Sequence, residues 1–217
     1  MTAANNTFKL SKRLLSTSTT SSFQKTAQPF TWDLGKYDES QIAQMQDMMT
    51  RVDEHDNIVG PISKLQGHLL QTGAAERRSE LHRAFSLLLF NSKNELLLQQ
   101  RAFKKITFPG RWTNTCCSHN AHVPHELEPE PHYIGMRRAA VRRTQFELGI
   151  NDINADEMKV VSRILYYAES CDRFAEHELD YIIFARKDID SSFTVNPDEI
   201  EAIAWVKYHD FEDFLIE

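Results

Sequence analysis

The apolar positions fall into runs whose spacing names the elements. Ile42, Met45 and Met49 lie three and four residues apart behind Asp38, whose carboxylate suits a helix N-cap, so the spacing predicts a helix over residues 38–50. The run 49–53 can also extend as a short strand ending at the turn-prone Asp56-Asn57. Residues 83–90 and 95–101 are two apolar stretches across Asn91-Ser-Lys-Asn94, a hairpin signal. Residues 136–148 read as a helix halted by Gly149, since glycine tolerates the left-handed C-terminal position. Residues 160–168, 178–185 and 200–206 read as strands, and residues 211–216 begin a further helix. No internal repeat is visible. Strands and helices do not alternate regularly, so the pattern predicts an α+β domain with a mixed or antiparallel sheet.

Composition narrows the class. In 217 residues, 41% hydrophobic and 26% charged content fits a globular domain able to bury a core. Three cysteines exclude a disulfide scaffold and fit a reducing, cytoplasmic compartment. The longest apolar run, residues 84–90, is far short of the roughly 20 residues a bilayer span needs, so no membrane partner is expected. Residues 1–32 hold Lys9, Lys12, Arg13 and Lys25, no acid, and a Ser/Thr run over 16–22. That stretch reads as a disordered leader or as a transit peptide giving a mitochondrial or peroxisomal address, with residues 33–217 as the folded domain. The remaining 21 basic and 31 acidic residues give the body a charge of −10, which argues against a nucleic-acid surface but leaves room for a local phosphate pocket.

Three stretches carry candidate chemistry. In the run 108–119, Pro109-Gly110 makes a turn, after which extension puts Cys117 and His119 on one face and Cys116 on the other. Glu176-His-Glu178 at a strand start puts both carboxylates on one face by the same period. His119, Glu176 and Glu178 make an N/O ligand set suited to Mg, Mn or Zn. The plain readings are a buried cysteine pair and a solvated strand edge, with His122, His125 and His132 decorating a surface loop. The third stretch, 136–150, places Met136, Ala140, Arg143 and Glu147 on one helical face. Its arginines could hold a diphosphate, or the helix could be an ordinary salt-bridged surface helix.

The hairpin runs His82-Arg-Ala-Phe85 and Leu96-Leu-Leu-Gln-Gln-Arg101, then Thr-Asn-Thr-Cys-Cys-Ser-His119, the Arg-rich helix ending Glu147-Leu-Gly-Ile150, and Glu176-His-Glu-Leu-Asp-Tyr-Ile182 follow one another along the chain. Together they resemble the type 1 isopentenyl-diphosphate isomerase family, in particular its animal members, from about Tyr37 to the last residue. The resemblance implies a Nudix-like mixed β-sheet flanked by helices. It also implies a single divalent metal held by His68, His82, His119, Glu176 and Glu178, a catalytic Cys117, and Glu178 as both ligand and proton carrier beside the Tyr166 hydroxyl. Lys64, Arg101, Lys105 and Arg143 match diphosphate-binding positions, and Glu147 matches the carboxylate of a second metal. Mg2+ is the implied cofactor, with Mn2+ or Zn2+ at the His/Glu site, and the partner is a small prenyl diphosphate on a monomer. The Nudix hydrolase box is degenerate here: Glu128 stands for its Gly, Ile134 for its first Glu, and Arg143 and Phe146 for two further acids. Isomerisation is therefore implied rather than diphosphate hydrolysis. The family continues beyond the strand at 200–206 into a segment whose Trp covers the substrate, whereas this sequence stops at Glu217 with only Trp32, Trp112 and Trp205. From that comparison the chain is expected to bind metal and isomerise poorly.

Overall fold

The computed structural model describes residues 35–71, 78–190 and 192–216. The expected leader over 1–32, and Trp32 with it, lies outside the described residues. In chain order the elements are α1 (Glu39–Gln44), β1 (Met48–Val52), β2 (Ile58–Ser63), α2 (Lys64–His68), β3 (His82–Phe90), β4 (Glu95–Arg101), β5 (Trp112–Thr113), β6 (Cys116–His119), α3 (Pro124–Leu127), α4 (Ile134–Leu148), β7 (Met158–Glu169), β8 (Ala175–Arg186), β9 (Ile200–Lys207) and α5 (Phe211–Ile216). No helix among them is long and apolar enough to cross a membrane.

Asp38 caps α1, its carboxylate accepting the Ser40 N–H at 2.9 Å. The helix nevertheless stops at Gln44 rather than residue 50. Met49 instead pairs with Ile62 across β1 and β2 and is buried there, so strand pairing overrides its helical spacing. The turn between these strands holds Asp56 at φ 70°, as its sequence suggested. β2 escapes the sequence pattern because it lacks alternation and carries Pro61, tolerable only on an edge strand such as this one.

β3 and β4 do meet at the expected turn, where Asn91 Oδ1 accepts the N–H groups of Lys93 and Glu95. As a hairpin they pair only at Phe90 and Leu96, then separate. β3 runs parallel to β8 from His82–Glu178 to Phe90–Arg186 and antiparallel to β6 on its other edge. β7 extends this leaf beyond β8, while β9 and β5 flank β4 to form a second leaf of the same mixed sheet.

The two leaves close around α4. Phe85, Leu87 and Leu89 of β3, Cys116, Tyr181 and Ile183 pack against Met136, Ala139, Ala140 and Leu148 of the helix, all nearly without solvent exposure. Truncating one of these leucines to Ala would cost about 2–5 kcal/mol. α4 ends where predicted, with Gly149 at φ 69° and its N–H bonded to Gln145 O. Trp205 packs partly buried against the same core. Because the odd-numbered residues of β3 face α4, the even-numbered His82, Ala84 and Ser86 face the other way. That second face carries the chemistry.

Candidate active site

Strand register assembles the site. His82 of β3 lies beside Glu178 of β8, and Glu178 lies beside Tyr166 of β7, so three strands contribute one row of side chains. On the opposite edge of β3, Ser86 faces Cys117 and Ala84 faces His119. Cys117 and Glu178 therefore flank β3, with the small Ala84 between them. Cys116, one residue out of phase, is fully buried in the core, as the period-2 reading required. His68 joins from α2, whose N-cap Ser63 accepts the Gln66 N–H.

The three imidazoles form a triangle with ring centroids 4.8, 4.9 and 5.0 Å apart. His68 Nδ1 donates to Lys64 O and His82 Nδ1 to Glu80 O, each at 2.8 Å. A carbonyl can only accept, so both rings carry their proton on Nδ1 and turn an Nε2 lone pair inward. Burial pushes His119 down to about 3 against the pull of Glu178, and it holds His68 well below the usual histidine range. Glu178 Oε1 lies 3.0 Å from His119 Nε2 and 3.4 Å from His82 Nε2, while Oε2 accepts the Tyr166 hydroxyl at 2.6 Å. Burial opposes the charged form of Glu178, but the hydrogen bond with His119 favours it, and the carboxyl is held well below the normal range.

A divalent cation fits this donor set. The ligand atoms of His68, His82, His119 and Glu178 lie within 4.8 Å of one another, and buried His82 Nε2 has no hydrogen-bond partner. Glu176 stands beside this group, joined to it through Tyr166, whose hydroxyl lies 2.9 Å from Glu176 Oε2. Burial and then the charge of Glu178 push Glu176 up to about 7.

The Cys117 thiol lines the same cleft, where about 30 Å³ is free, room for little more than one water. Arg101 Nη1 approaches its Sγ at 3.6 Å, and Thr113 Oγ1 at 3.8 Å. Burial pushes the thiol up to about 11, with Arg101 pulling the other way. The turn read at Pro109-Gly110 supports this arrangement, because Thr107 O and Phe108 O accept from Arg101 and fix its guanidinium.

Lys64, Lys105 and Arg143 line the cleft with Arg101. Burial, then repulsion from Lys105 and Arg143, pushes Lys64 down to about 7. Arg143 donates from Nε and Nη2 to Glu147 Oε1 at 3.0 and 2.7 Å, and Gln99 holds the other Glu147 oxygen at 3.2 Å. The surface-helix alternative for α4 is thus corrected: this pair is buried, because its face packs inward between the leaves. Glu147 stands apart from the imidazole group. His122 also stands outside it, 3.3 Å from Thr50 Oγ1 beside a neighbouring cavity of about 390 Å³. His125 and His132 are exposed.

Two carboxylates of this region escaped the sequence reading. Asp180 continues the period 176, 178, 180, which alone could have revealed it; it accepts from Ser86 Oγ at 2.7 Å, and burial pushes it up to about 7. Glu199 lies in a turn with no periodic signal, yet its side chain is fully buried against Lys105 and Arg143.

The NUDIX domain family model matches residues 80–216. Isopentenyl-diphosphate Delta-isomerase 1 of Mus musculus is 44% identical over 182 residues, covering 82% of this chain and 77% of that protein. Isopentenyl-diphosphate Delta-isomerase I of Clarkia breweri is 46% identical over 166 residues, covering 76% of this chain and 56% of that protein. The fold is similar to the crystal structure of DR0079 from Deinococcus radiodurans, at 17% identity and a TM-score of 0.51, covering 78% of this chain and 89% of that one.

Proposed function

This chain belongs to the isopentenyl-diphosphate Delta-isomerase family of Nudix-domain proteins, and from that premise we propose that it converts isopentenyl diphosphate to dimethylallyl diphosphate. The observation that carries the reading is one cleft lined by a thiol, a Tyr-bonded carboxylate and four basic side chains. Moving a double bond by one position adds a proton at one carbon and removes one at another. Cys117 and Glu178, on strands either side of β3, supply two groups able to carry those protons.

Lys64, Arg101, Lys105 and Arg143 bind the diphosphate through charge-assisted hydrogen bonds from the N–H groups their protein partners leave free. That end fixes the substrate so that its hydrocarbon end meets Cys117 and Glu178. Tyr166 orients Glu178 by donating to Oε2. His68, His82, His119 and Glu178, with Glu176 adjoining, would hold Mg2+, and Mn2+ or Zn2+ also suit three imidazoles with carboxylates. A bound divalent cation would supply positive charge that keeps Glu178 ionised and oriented. Glu147 would serve a second ion toward the diphosphate.

Diphosphate hydrolysis is disfavoured because α4 brings only one acid, Glu147, where the hydrolase box calls for several. The test is incubation of the protein with isopentenyl diphosphate and Mg2+, scoring acid-labile allylic product against released phosphate. Allylic product without phosphate release supports isomerisation. Phosphate release overturns it in favour of hydrolysis, and neither product leaves a metal- and diphosphate-binding protein.

A further inference from the structure

We propose that Glu199 is a positioning residue for the diphosphate: its buried carboxylate sets Lys105 and Arg143 in place before the substrate arrives. The inference rests on the cradle reading above and adds a residue to it. The two oxygens of Glu199 have separate partners. Oε2 pairs with Lys105 Nζ and lies 3.4 Å from Arg143 Nη2, while Oε1 accepts from Gln41 Nε2 at 3.3 Å and from Gln44 Nε2. The two amides from α1 stop the carboxylate from rotating, so the cations meet an acceptor of fixed direction.

The backbone fixes it as well. Asn196 N–H donates to Glu147 O at the end of α4 at 2.8 Å, and Asn196 O accepts the Glu199 N–H at 3.0 Å. Glu199 O accepts the Ala102 N–H at 2.9 Å, just past β4. The turn carrying Glu199 is thereby bonded to the two segments that bear Arg101, Lys105 and Arg143. Four basic side chains converge on this cleft, and an unpaired buried charge is expensive. Glu147 neutralises Arg143, but among the described residues Glu199 is the one carboxylate that pairs with Lys105. Lys105 has three N–H groups and Arg143 has five, so both can hold Glu199 and still reach phosphate oxygens. Arg143 spends Nε and Nη2 on the carboxylates, which leaves Nη1 as the edge to turn toward a ligand.

Removing the carboxylate has two opposed effects. It deletes a negative charge near an anion site, which favours binding, and it frees Lys105 and Arg143 to swing, which opposes binding. Charge-assisted hydrogen bonds in buried sites outweigh one further charge at longer range, so loss of positioning should dominate.

The test is calorimetric titration of the full chain with inorganic pyrophosphate, using wild type, Glu199→Gln, Lys105→Met and the double variant. Each single substitution is expected to weaken binding about tenfold or more, and the double to lose less than the two single losses combined, since only the share of Glu199 that acts through Arg143 remains to be lost. In isopentenyl diphosphate turnover, Glu199→Gln should raise KM with kcat little changed. A residue that only supports the fold would give additive losses and a fall in kcat. Additive losses, or pyrophosphate binding by Glu199→Gln as tight as wild type, overturn the proposal. Should Glu199→Gln not fold, Glu199→Asp keeps the charge on a shorter stem: weaker pyrophosphate binding supports the proposal and unchanged binding overturns it. Coupled pyrophosphate binding without any allylic product would instead sink the isomerase reading and leave the role of Glu199 standing.

Discussion

At one end of the cleft, imidazoles and Glu178 are placed by strand register; at the other, Arg101, Lys105 and Arg143 are placed by carboxylates and carbonyls from other segments, with Lys64 beside them. Both ends are buried. The imidazole end suppresses charge, since burial strips protons from His68 and His119 and leaves lone pairs. At the cationic end Glu147 and Glu199 pair with Arg143 and Lys105, while burial and then repulsion from Lys105 and Arg143 push Lys64 down to about 7. The first arrangement suits a cation and the second an anion. A metal diphosphate chemistry needs both, and the fold supplies them by different means: short side chains on a rigid ladder, and long side chains tethered by ion pairs.

The sharpest way to break this contrast is at the ladder, where one residue of phase separates function from packing. Cys117→Ala should lower turnover about 10²- to 10⁴-fold, the range of a lost proton carrier, while thermal midpoint and metal content stay near wild type. Cys116→Ala should leave turnover intact and lower only the midpoint, because that side chain is core. Equal loss of activity in both would show that the face assignment is wrong.

The tethered end should break through stability as well as binding. Arg143→Met leaves Glu147 and Glu199 facing each other without their shared cation, which should cost about 3–5 kcal/mol in a denaturant titration. Arg138→Ala on the same helix removes an exposed pair with Glu128 and should cost less than about 1 kcal/mol. Similar costs would mean that burial, not pairing, had been misjudged on α4.

Metal content sharpens the comparison further. His119→Ala should leave the purified protein below one equivalent of divalent metal by elemental analysis, and His122→Ala should not, since His122 bonds Thr50 away from the cluster. Equal metal loss in the two variants would move the ligand into the loop after β6.

The same contrast explains what could be read from the chain. Alternation alone put Cys117 with His119 and Glu176 with Glu178, because register in a sheet with one functional face is tightly specified. It did not join β3 to β8, since parallel pairing at long sequence separation leaves no local trace; the local signal was the turn at 91–94, and the strands part immediately beyond it. His68, His82 and the four cations came through family resemblance rather than spacing. Glu199 and the contraction of α1 came through neither: each is decided by partners far along the chain, Lys105 and Arg143 for Glu199, and Ile62 for Met49.

The central claim is proton transfer at carbon by groups of this cleft, and isomerisation in D2O tests it most directly. With isopentenyl diphosphate and Mg2+, the wild-type protein should yield dimethylallyl diphosphate carrying solvent deuterium in its newly formed methyl group, read by NMR, and Cys117→Ala should yield none above background. Allylic product without deuterium, or undiminished deuterium incorporation by Cys117→Ala, would contradict the account.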